Sequence, residues 1–234
     1  MTGSPVPTYS AGMPRTARAS VGGLCYHVMN RGNARAVVFH DSLDYQAFVR
    51  LIGEACIRLP LDVLAACLMP NHIHLVLKPY GDGDLSRWMQ WLLTAHVRRY
   101  HRRHGSSGHV WQGRFKAFPI QHDAHLLRVM RYVERNALRA NLVVRAEDWQ
   151  WGSLAWRSCG RTGSFLSSPP VSLPDDWLTR VNAPESAVEL AALRRSANRG
   201  APFGDSTWVK LTAAKLGLES SLRPQGRPRR GGEK

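Results

Sequence analysis

The feature that most limits how this chain can fold is the run 67–79, which carries two histidines two positions apart. A Pro-Asn pair at 70–71 gives a turn signal directly before the first histidine, and large aliphatic residues alternate after it. This pattern predicts a β-strand entered from a tight turn. Because side chains two apart in a strand point to the same face, His72 and His74 should project together. The core-facing positions are then Ile73, Leu75 and Leu77.

Two imidazoles on one strand face are half of a divalent-metal site, or a pair of neutral donors for a phosphate. The alternative is that His72 and His74 lie on a polar, solvated sheet face and have no chemical role. The pair alone does not separate these interpretations. A metal site needs a third ligand from elsewhere in the chain.

The charge balance points to a polyanionic partner. Lys and Arg number 32 against 17 Asp and Glu, which gives a formal net charge of +15 over 234 residues. An excess of this size favours nucleic acid ahead of a membrane surface as the partner. The alternative is a basic protein kept soluble by its charge.

Cysteine usage and hydropathy indicate the compartment. The four cysteines have no CxxC spacing, so the sequence supports neither a zinc ribbon nor a disulfide framework. Free cysteines are typical of a reducing cytosol. No apolar run approaches the length of a membrane span, and the N-terminus lacks the apolar core of a signal peptide. We expect a cytoplasmic or nucleoid-associated protein.

The order of the periodic segments predicts the fold class. The segments are a strand over 24–31, a helix that begins at Asp41 or Ser42 and ends at Pro60, a strand over 61–69, the two-histidine strand, a helix over 84–104, and a strand or extended segment over 110–120. Strand, helix, strand, strand, helix, strand is the order of a ferredoxin-like α+β domain with an antiparallel sheet and flanking helices. The two-residue connection at 70–71 makes the second and third strands antiparallel neighbours.

A third helix, capped by Asp123, carries a tyrosine at the edge of its apolar stripe. At about 100° per residue, Tyr132 and Asn136 share one flank, one turn apart. Arg128 and Arg139 lie on nearly the same flank, where they would favour a bound phosphate. The alternative is that the tyrosine is an ordinary residue at the core boundary.

Taken together, these segments resemble the single-tyrosine HUH transposases of bacterial insertion sequences, and within them the REP-associated tyrosine transposases. The matching segments are 26–33, 69–75, 110–116, 131–136, 139–140 and 149–153, within roughly residues 13–157. The chain departs from the family at one point, since Asn136 is followed by Ala137 where many members have Asn-Pro. An alanine lets the helix continue past Asn136.

The resemblance implies a division of roles among the site residues. His72 and His74 would bind Mg²⁺ or Mn²⁺, with Asn136 as the third protein ligand, and Tyr132 would attack the scissile phosphate. The implied function is cleavage and rejoining of single-stranded or hairpin DNA through a 5′-phosphotyrosine, with no need for ATP. Imidazoles coordinate a metal only when neutral, so activity should fall below about pH 6.5.

The candidate DNA-contacting residues are Arg98, Arg99, Arg102, Arg103, Trp111, Arg114, Lys116, Arg128, Arg139, Arg194, Arg195, Arg223 and Arg227. We divide the chain into a flexible N-terminal arm (1–20), the catalytic domain (21–158), a linker (159–184) and a basic helical C-terminal tail (185–234). In the tail, a helix over 187–198 and one capped near Asp205 suggest a helix-turn-helix pair. The second of these should bury Trp208, Leu211, Ala214 and Leu216.

Two further functions stay open at this point. One is a domesticated hairpin-binding protein whose tyrosine does not cleave. The other is an RNA-binding ferredoxin-like module, which predicts exposed aromatic side chains on the sheet; the first strand offers Tyr26 for that role.

Overall fold

A computed structural model describes residues 20–159 and 165–223 of the chain. The strands are β1 (Cys25–Arg31), β2 (Leu61–Met69), β3 (His72–Pro79) and β4 (Lys116–Ile120), and the helices are α1 (Ser42–Arg58), α2 (Asp84–His104), α3 (Ala124–Glu134), α4 (Asn136–Arg139), α5 (Ser153–Ser158), α6 (Trp177–Asn182), α7 (Ala187–Arg199), α8 (Ser206–Leu216) and α9 (Glu219–Leu222). The sheet order is β2-β3-β1-β4, and all three pairings are antiparallel. The ferredoxin-like prediction is confirmed.

Local signals set the ends of the long helices. The Asp41 carboxylate accepts hydrogen bonds from the backbone N–H groups of Leu43 and Asp44, so it caps α1. Asp123 caps α3 in the same way through the N–H of His125. Helix α2 ends at Gly105, whose left-handed φ of 57° suits glycine.

The sheet is covered on both faces. Helices α1 and α2 pack on one face, where Ile73, Leu75 and Leu77 are fully buried as predicted. Helix α3 packs on the other face, against side chains that include Val76 and Phe118. Since residues alternate along β3, the two histidines of that strand face α3.

The tyrosine helix is shorter than its periodicity predicts. Helix α3 ends at Glu134, Arg135 follows with φ −83° and ψ −5°, and the four-residue α4 continues the chain from Asn136. The helical conformation therefore continues past Asn136, as Ala137 permits, but it is divided into two helices, α3 and α4. Among the described residues, no helix is long and apolar enough to cross a membrane.

The C-terminal region contains more structure than its sequence shows. Helix α6 lies inside the range 159–184 predicted as a linker, and its Trp177 is buried. Helices α7 and α8 form as predicted, but the predicted buried side of α8 is wrong. Leu211 is 68% exposed and Ala214 is exposed, while Thr212 and Ala213 are buried. Residues 1–19, 160–164 and 224–234 lie outside the described part of the chain, and with them most of the predicted N-terminal arm and Arg227.

Candidate active site

The two histidines of β3 and the tyrosine of α3 lie side by side. The ring centroids of Tyr132 and His74 are 5.9 Å apart, edge to face, and those of His72 and His74 are 5.0 Å apart. Strand parity turns both histidines toward α3, and Tyr132 lies on the sheet-facing side of that helix with 9% of its surface exposed. The structure therefore brings together the three residues on which the sequence argument depends.

A third imidazole, from β1, completes the cluster. The ring of His27 stacks on His74 at 5.0 Å and lies 6.0 Å from Tyr132, edge-on. Its Nε2 is 2.8 Å from Nδ1 of His74, which is a buried hydrogen bond. This contact links β1 to β3 directly beneath the tyrosine.

The three imidazoles are held neutral. Burial lowers the pKa of His72 to about 4, helped by the charges of Arg31 and Arg139. Burial likewise lowers the pKa of His27 to about 3, with Arg139 adding to the effect. The pKa of His74 falls well below 6.5, again chiefly through burial. Neutral imidazoles are the form that coordinates a metal. From the sequence we expect activity to fall below about pH 6.5. The pKa of about 4 for His72 moves the expected protonation of this residue to a lower pH.

The tautomer of His72 follows from its neighbour Asn71. The Asn71 Nδ2 donates to the carbonyl of Arg35 at 3.0 Å, which orients the amide. Its Oδ1 then lies 2.6 Å from Nδ1 of His72. Because a carboxamide oxygen only accepts, His72 must carry its proton on Nδ1. The Nε2 lone pair is left for a ligand.

Arg139 connects the tyrosine with the predicted third metal ligand. Its guanidinium lies 4.1 Å from the centroid of the Tyr132 ring. Its Nη2 donates to Oδ1 of Asn136, and its Nη1 donates to Glu185 at 2.9 Å. The Asn136 Nδ2 is buried and has no hydrogen-bond partner in the described part of the chain. In this arrangement Arg139 holds the amide oxygen that the prediction assigns to a metal.

The third metal ligand predicted from the sequence is the amide of Asn136. Within residues 20–159 and 165–223, no group of three or more His, Cys, Asp or Glu side chains is suited to hold a metal ion. The assignment of Asn136 as the third protein ligand beside His72 and His74 therefore stays a prediction.

The chain matches the family described as "Transposase IS200 like" over residues 20–136, which is half of its length. The chain belongs to this IS200-like transposase family. The match ends at Asn136, so it includes β1 to β4 and the tyrosine helix. The resemblance seen in the sequence is confirmed at the level of the family.

The chain is also similar to individual known proteins. A putative REP-associated tyrosine transposase of Haemophilus influenzae is 26% identical over 111 residues, which are 43% of this chain and 62% of that protein. The chain thus spans about three-fifths of the length of this relative. A solved REP-associated tyrosine transposase bound to a REP hairpin superposes with a TM-score of 0.53 at 18% identity, over 70% of this chain and 96% of that one. This second likeness shows a shared fold. A putative transposase from Deinococcus radiodurans gives a TM-score of 0.37 at 18% identity, over 52% of this chain and 96% of that one.

The basic residues among the predicted DNA contacts of this IS200-like transposase fall into three groups. Those that are exposed are Arg98, Arg102, Arg114, Lys116, Arg128, Arg194, Arg195 and Arg223. Those engaged within the protein are Arg99, which donates to the Leu43 carbonyl, Arg103, which pairs with Asp41 and Asp44, and Arg139. Arg227 lies outside the described residues.

The structure corrects the prediction for Trp111. Its side chain is 6% exposed and packs near Phe39 and His96 in the core between α1 and α2. The alternation of aromatic and basic residues over 110–116 predicted a strand or an extended loop leading to one, and the segment is a loop that leads into β4 at Lys116. The preceding loop turns its aromatic side chains inward, so the Trp111 ring is not available to DNA.

Sequence reasoning missed three residues of the site: His27, Arg31 and Asn71. Arg31 pairs in register with His72 across β1 and β3, and its charge adds to burial in lowering the pKa of that histidine. Strand parity places His27 and Arg31 on one face of β1, which was a usable signal. The sequence gives no such signal for the register between β1 and β3, which places these residues beside the histidines of β3.

Proposed function

We propose that this IS200-like transposase cleaves one strand of DNA beside a hairpin and rejoins it through Tyr132. The observation that carries the proposal is the placement of the Tyr132 ring 5.9 Å from His74, with the Arg139 guanidinium 4.1 Å from the same ring. A nucleophile, neutral metal-binding donors and a cation thus meet at one point of the sheet. Membership of the family supports an enzymatic role.

We propose that His72, His74 and Asn136 would hold Mg²⁺ or Mn²⁺. The donor set fits such an ion, because the imidazoles are neutral and Nδ1 of each is already engaged, which leaves Nε2. When bound, the ion would act as a Lewis acid on an oxygen of the scissile phosphate. Arg139 would have to release the Asn136 oxygen for the amide to serve as a ligand.

The side chains of the protein carry the covalent step. The phenol oxygen of Tyr132 would form a bond to phosphorus and lose its proton to solvent, while the bond from phosphorus to the 3′ oxygen breaks. The 3′ oxygen would leave as a hydroxyl, and the 5′ phosphate would stay on the tyrosine. Attack by a 3′-hydroxyl on this phosphotyrosine rejoins a strand, so the bond energy is kept and no ATP is used.

Cations on the same face of the sheet would receive the phosphate. Side chains alternate between the two faces along each strand. Arg31 of β1 and Lys116 of β4 are both on the face that α3 covers. Arg139 joins them from α4. Guanidinium groups bind phosphate oxygens with charge-assisted hydrogen bonds, which position the backbone for attack by Tyr132.

The proposed substrate is a single-stranded DNA that contains a hairpin. The fold is shared with a protein that was solved bound to a REP hairpin, and the net charge of +15 suits a polyanion. The RNA-binding alternative loses its main support, because Tyr26 is 1% exposed and helices cover both faces of the sheet. Tyr26 is therefore not available as a platform on which bases could stack.

The test is a covalent-adduct assay. Purified protein is incubated with end-labelled hairpin DNA and Mg²⁺ or Mn²⁺, and products are separated on a denaturing gel. The wild-type chain should give a protein–DNA band that Tyr132→Phe does not form. Tyr80→Phe is the matched control, because Tyr80 is exposed and its hydroxyl donates to Asp62 on the surface.

The outcomes separate the candidate functions. An adduct from Tyr132→Phe would show that the nucleophile is misassigned. Hairpin binding by the wild-type chain with no adduct in several metals would instead support a binding protein that does not cleave.

A further inference from the structure

His27 is a buried polar residue at the centre of the site, and the proposed reaction gives it no task. It is 1% exposed and packs against the rings of His74, Phe118 and Tyr132. A residue kept only for packing would be expected to be apolar, since an imidazole buried here has to satisfy two nitrogens. Its Nε2 meets His74, and its Nδ1 is buried with no partner among the described residues.

The hydrogen bond between the two imidazoles constrains their tautomers. Each neutral ring has one N–H and one lone pair, and a single proton lies between Nε2 of His27 and Nδ1 of His74. If His27 donates, His74 carries its own proton on Nε2 and cannot bind a metal there. If His74 donates from Nδ1, its Nε2 lone pair is available.

For His74 to bind a metal through its Nε2, His27 must therefore accept the hydrogen bond from Nδ1 of His74. Asn71 already plays the equivalent part for His72, because its amide oxygen accepts from Nδ1 of that ring. With both Nδ1 atoms donating outward, the two histidines offer Nε2 as their donor atoms. An acceptor that binds the N–H of a ligating imidazole fixes the orientation of the ring and raises the basicity of its other nitrogen.

We propose that His27 is a positioning residue that accepts a hydrogen bond from Nδ1 of His74 and so keeps the Nε2 of His74 ready to bind a divalent cation. The proposal rests on the proposed function, since it assumes that His74 binds an ion. His27 does not touch the DNA or the ion and acts only through His74. In the ion-bound state its own proton is on Nδ1.

Two substitutions separate this role from packing. His27→Phe keeps an aromatic ring against Phe118 and Tyr132 but removes the acceptor. His27→Gln loses the ring and restores an acceptor oxygen near the position of Nε2. The matched control is His96→Phe, which replaces another buried imidazole on the opposite face of the sheet.

The first readout is the Mn²⁺ affinity of the DNA-free protein, followed by water-proton relaxation. We expect His27→Phe to weaken Mn²⁺ binding by roughly 10–100-fold. The wild-type affinity should persist in His96→Phe, and most of it should return in His27→Gln. A packing role predicts the reverse order, with the phenylalanine variant binding like wild type and the glutamine variant impaired.

The second readout needs no variant. Long-range ¹H–¹⁵N spectra of histidine-labelled wild-type protein with Mg²⁺ should show the His74 proton on Nδ1 and an unprotonated Nε2 on His27. A proton on Nε2 of His74 in the ion-bound state would overturn the proposal even if His27→Phe failed to fold.

The results also distinguish this inference from the proposed function. Equal Mn²⁺ affinities of wild type and a folded His27→Phe variant would refute the proposed role of His27 but would not contradict the metal site. If the wild-type chain bound no Mn²⁺ at all, both the proposed metal site and the proposed role of His27 would be refuted.

Discussion

The protein should lose stability as the pH falls from about 6.5 toward 4, and His96 should account for a measurable share. The His96 ring lies on α2 between Phe48 and Trp111, at centroid distances of 5.0 Å and 5.2 Å, and is 3% exposed. Burial lowers the pKa of His96 from 6.5 to about 4. An unfolded chain takes up this proton near pH 6.5, but the folded chain does so only near 4.

Proton linkage gives the direction and the size of the change in unfolding free energy. Between these pH values the unfolded state binds more protons, so acid favours unfolding and stability rises with pH. A pKa difference of about 2.5 units corresponds to about 3 kcal/mol once the pH is below 4. At pH 5 the expected loss from His96 alone is about 2 kcal/mol. His27, His72 and His74 have lowered pKa values as well, so the wild-type loss should be larger than this.

The assay is urea denaturation followed by tryptophan fluorescence at pH 7.5 and pH 5.0. His96→Phe removes the titrating group and keeps a ring, so the difference in unfolding free energy between the two pH values should shrink by about 2 kcal/mol. Leu92→Met, one turn away on α2 and fully buried, is the control. It should cost less than about 1.5 kcal/mol at both pH values and leave the difference unchanged. A full wild-type pH dependence in His96→Phe would refute the reasoning.

Three further predictions use other parts of the structure. Arg102→Ala should lower the slope of log K against log salt for hairpin DNA by about 1, whereas Arg103→Ala should not change it, because Arg103 is already paired with the carboxylates of Asp41 and Asp44. Glu134→Gln should cost about 3–5 kcal/mol in urea denaturation, since it leaves the partly buried Arg157 without its anionic partner. Treatment with EDTA should abolish the covalent adduct in the gel assay and leave most hairpin binding, measured by fluorescence anisotropy, intact.

Local signals in the sequence were enough for the fold and for part of the site. A two-residue turn and strand parity placed His72 and His74 on one face, and helix periodicity placed Tyr132 at the edge of its buried stripe. Each of these depends on neighbours within a few residues. The position of His27 beside His74 depends on the register between β1 and β3, which is set by packing across the whole sheet.

Short elements held by distant contacts could not be predicted. Helix α6 has six residues, too few for a helix to be stable by its own propensity. It forms where Trp177 enters the core beneath α3 and its indole N–H donates to Glu134, a residue 43 positions earlier. The same limit applies to Trp111, whose inward packing requires both α1 and α2 to be in place.

The contacts of residues 181–185 decide which arginines near the tyrosine are already engaged within the protein. Arg131, Arg135 and Arg139 recur every four residues, a spacing that favours phosphate contacts along one helix flank. In the structure the first two donate to backbone carbonyls of residues 181–184, and Glu185 pairs with Arg139 at 2.9 Å and with Arg135 at 3.9 Å. Only Arg139 also reaches the Tyr132 ring. A phosphate that enters the site must therefore compete with Glu185 for Arg139, so the segment after α6 sets the charge available to the proposed reaction.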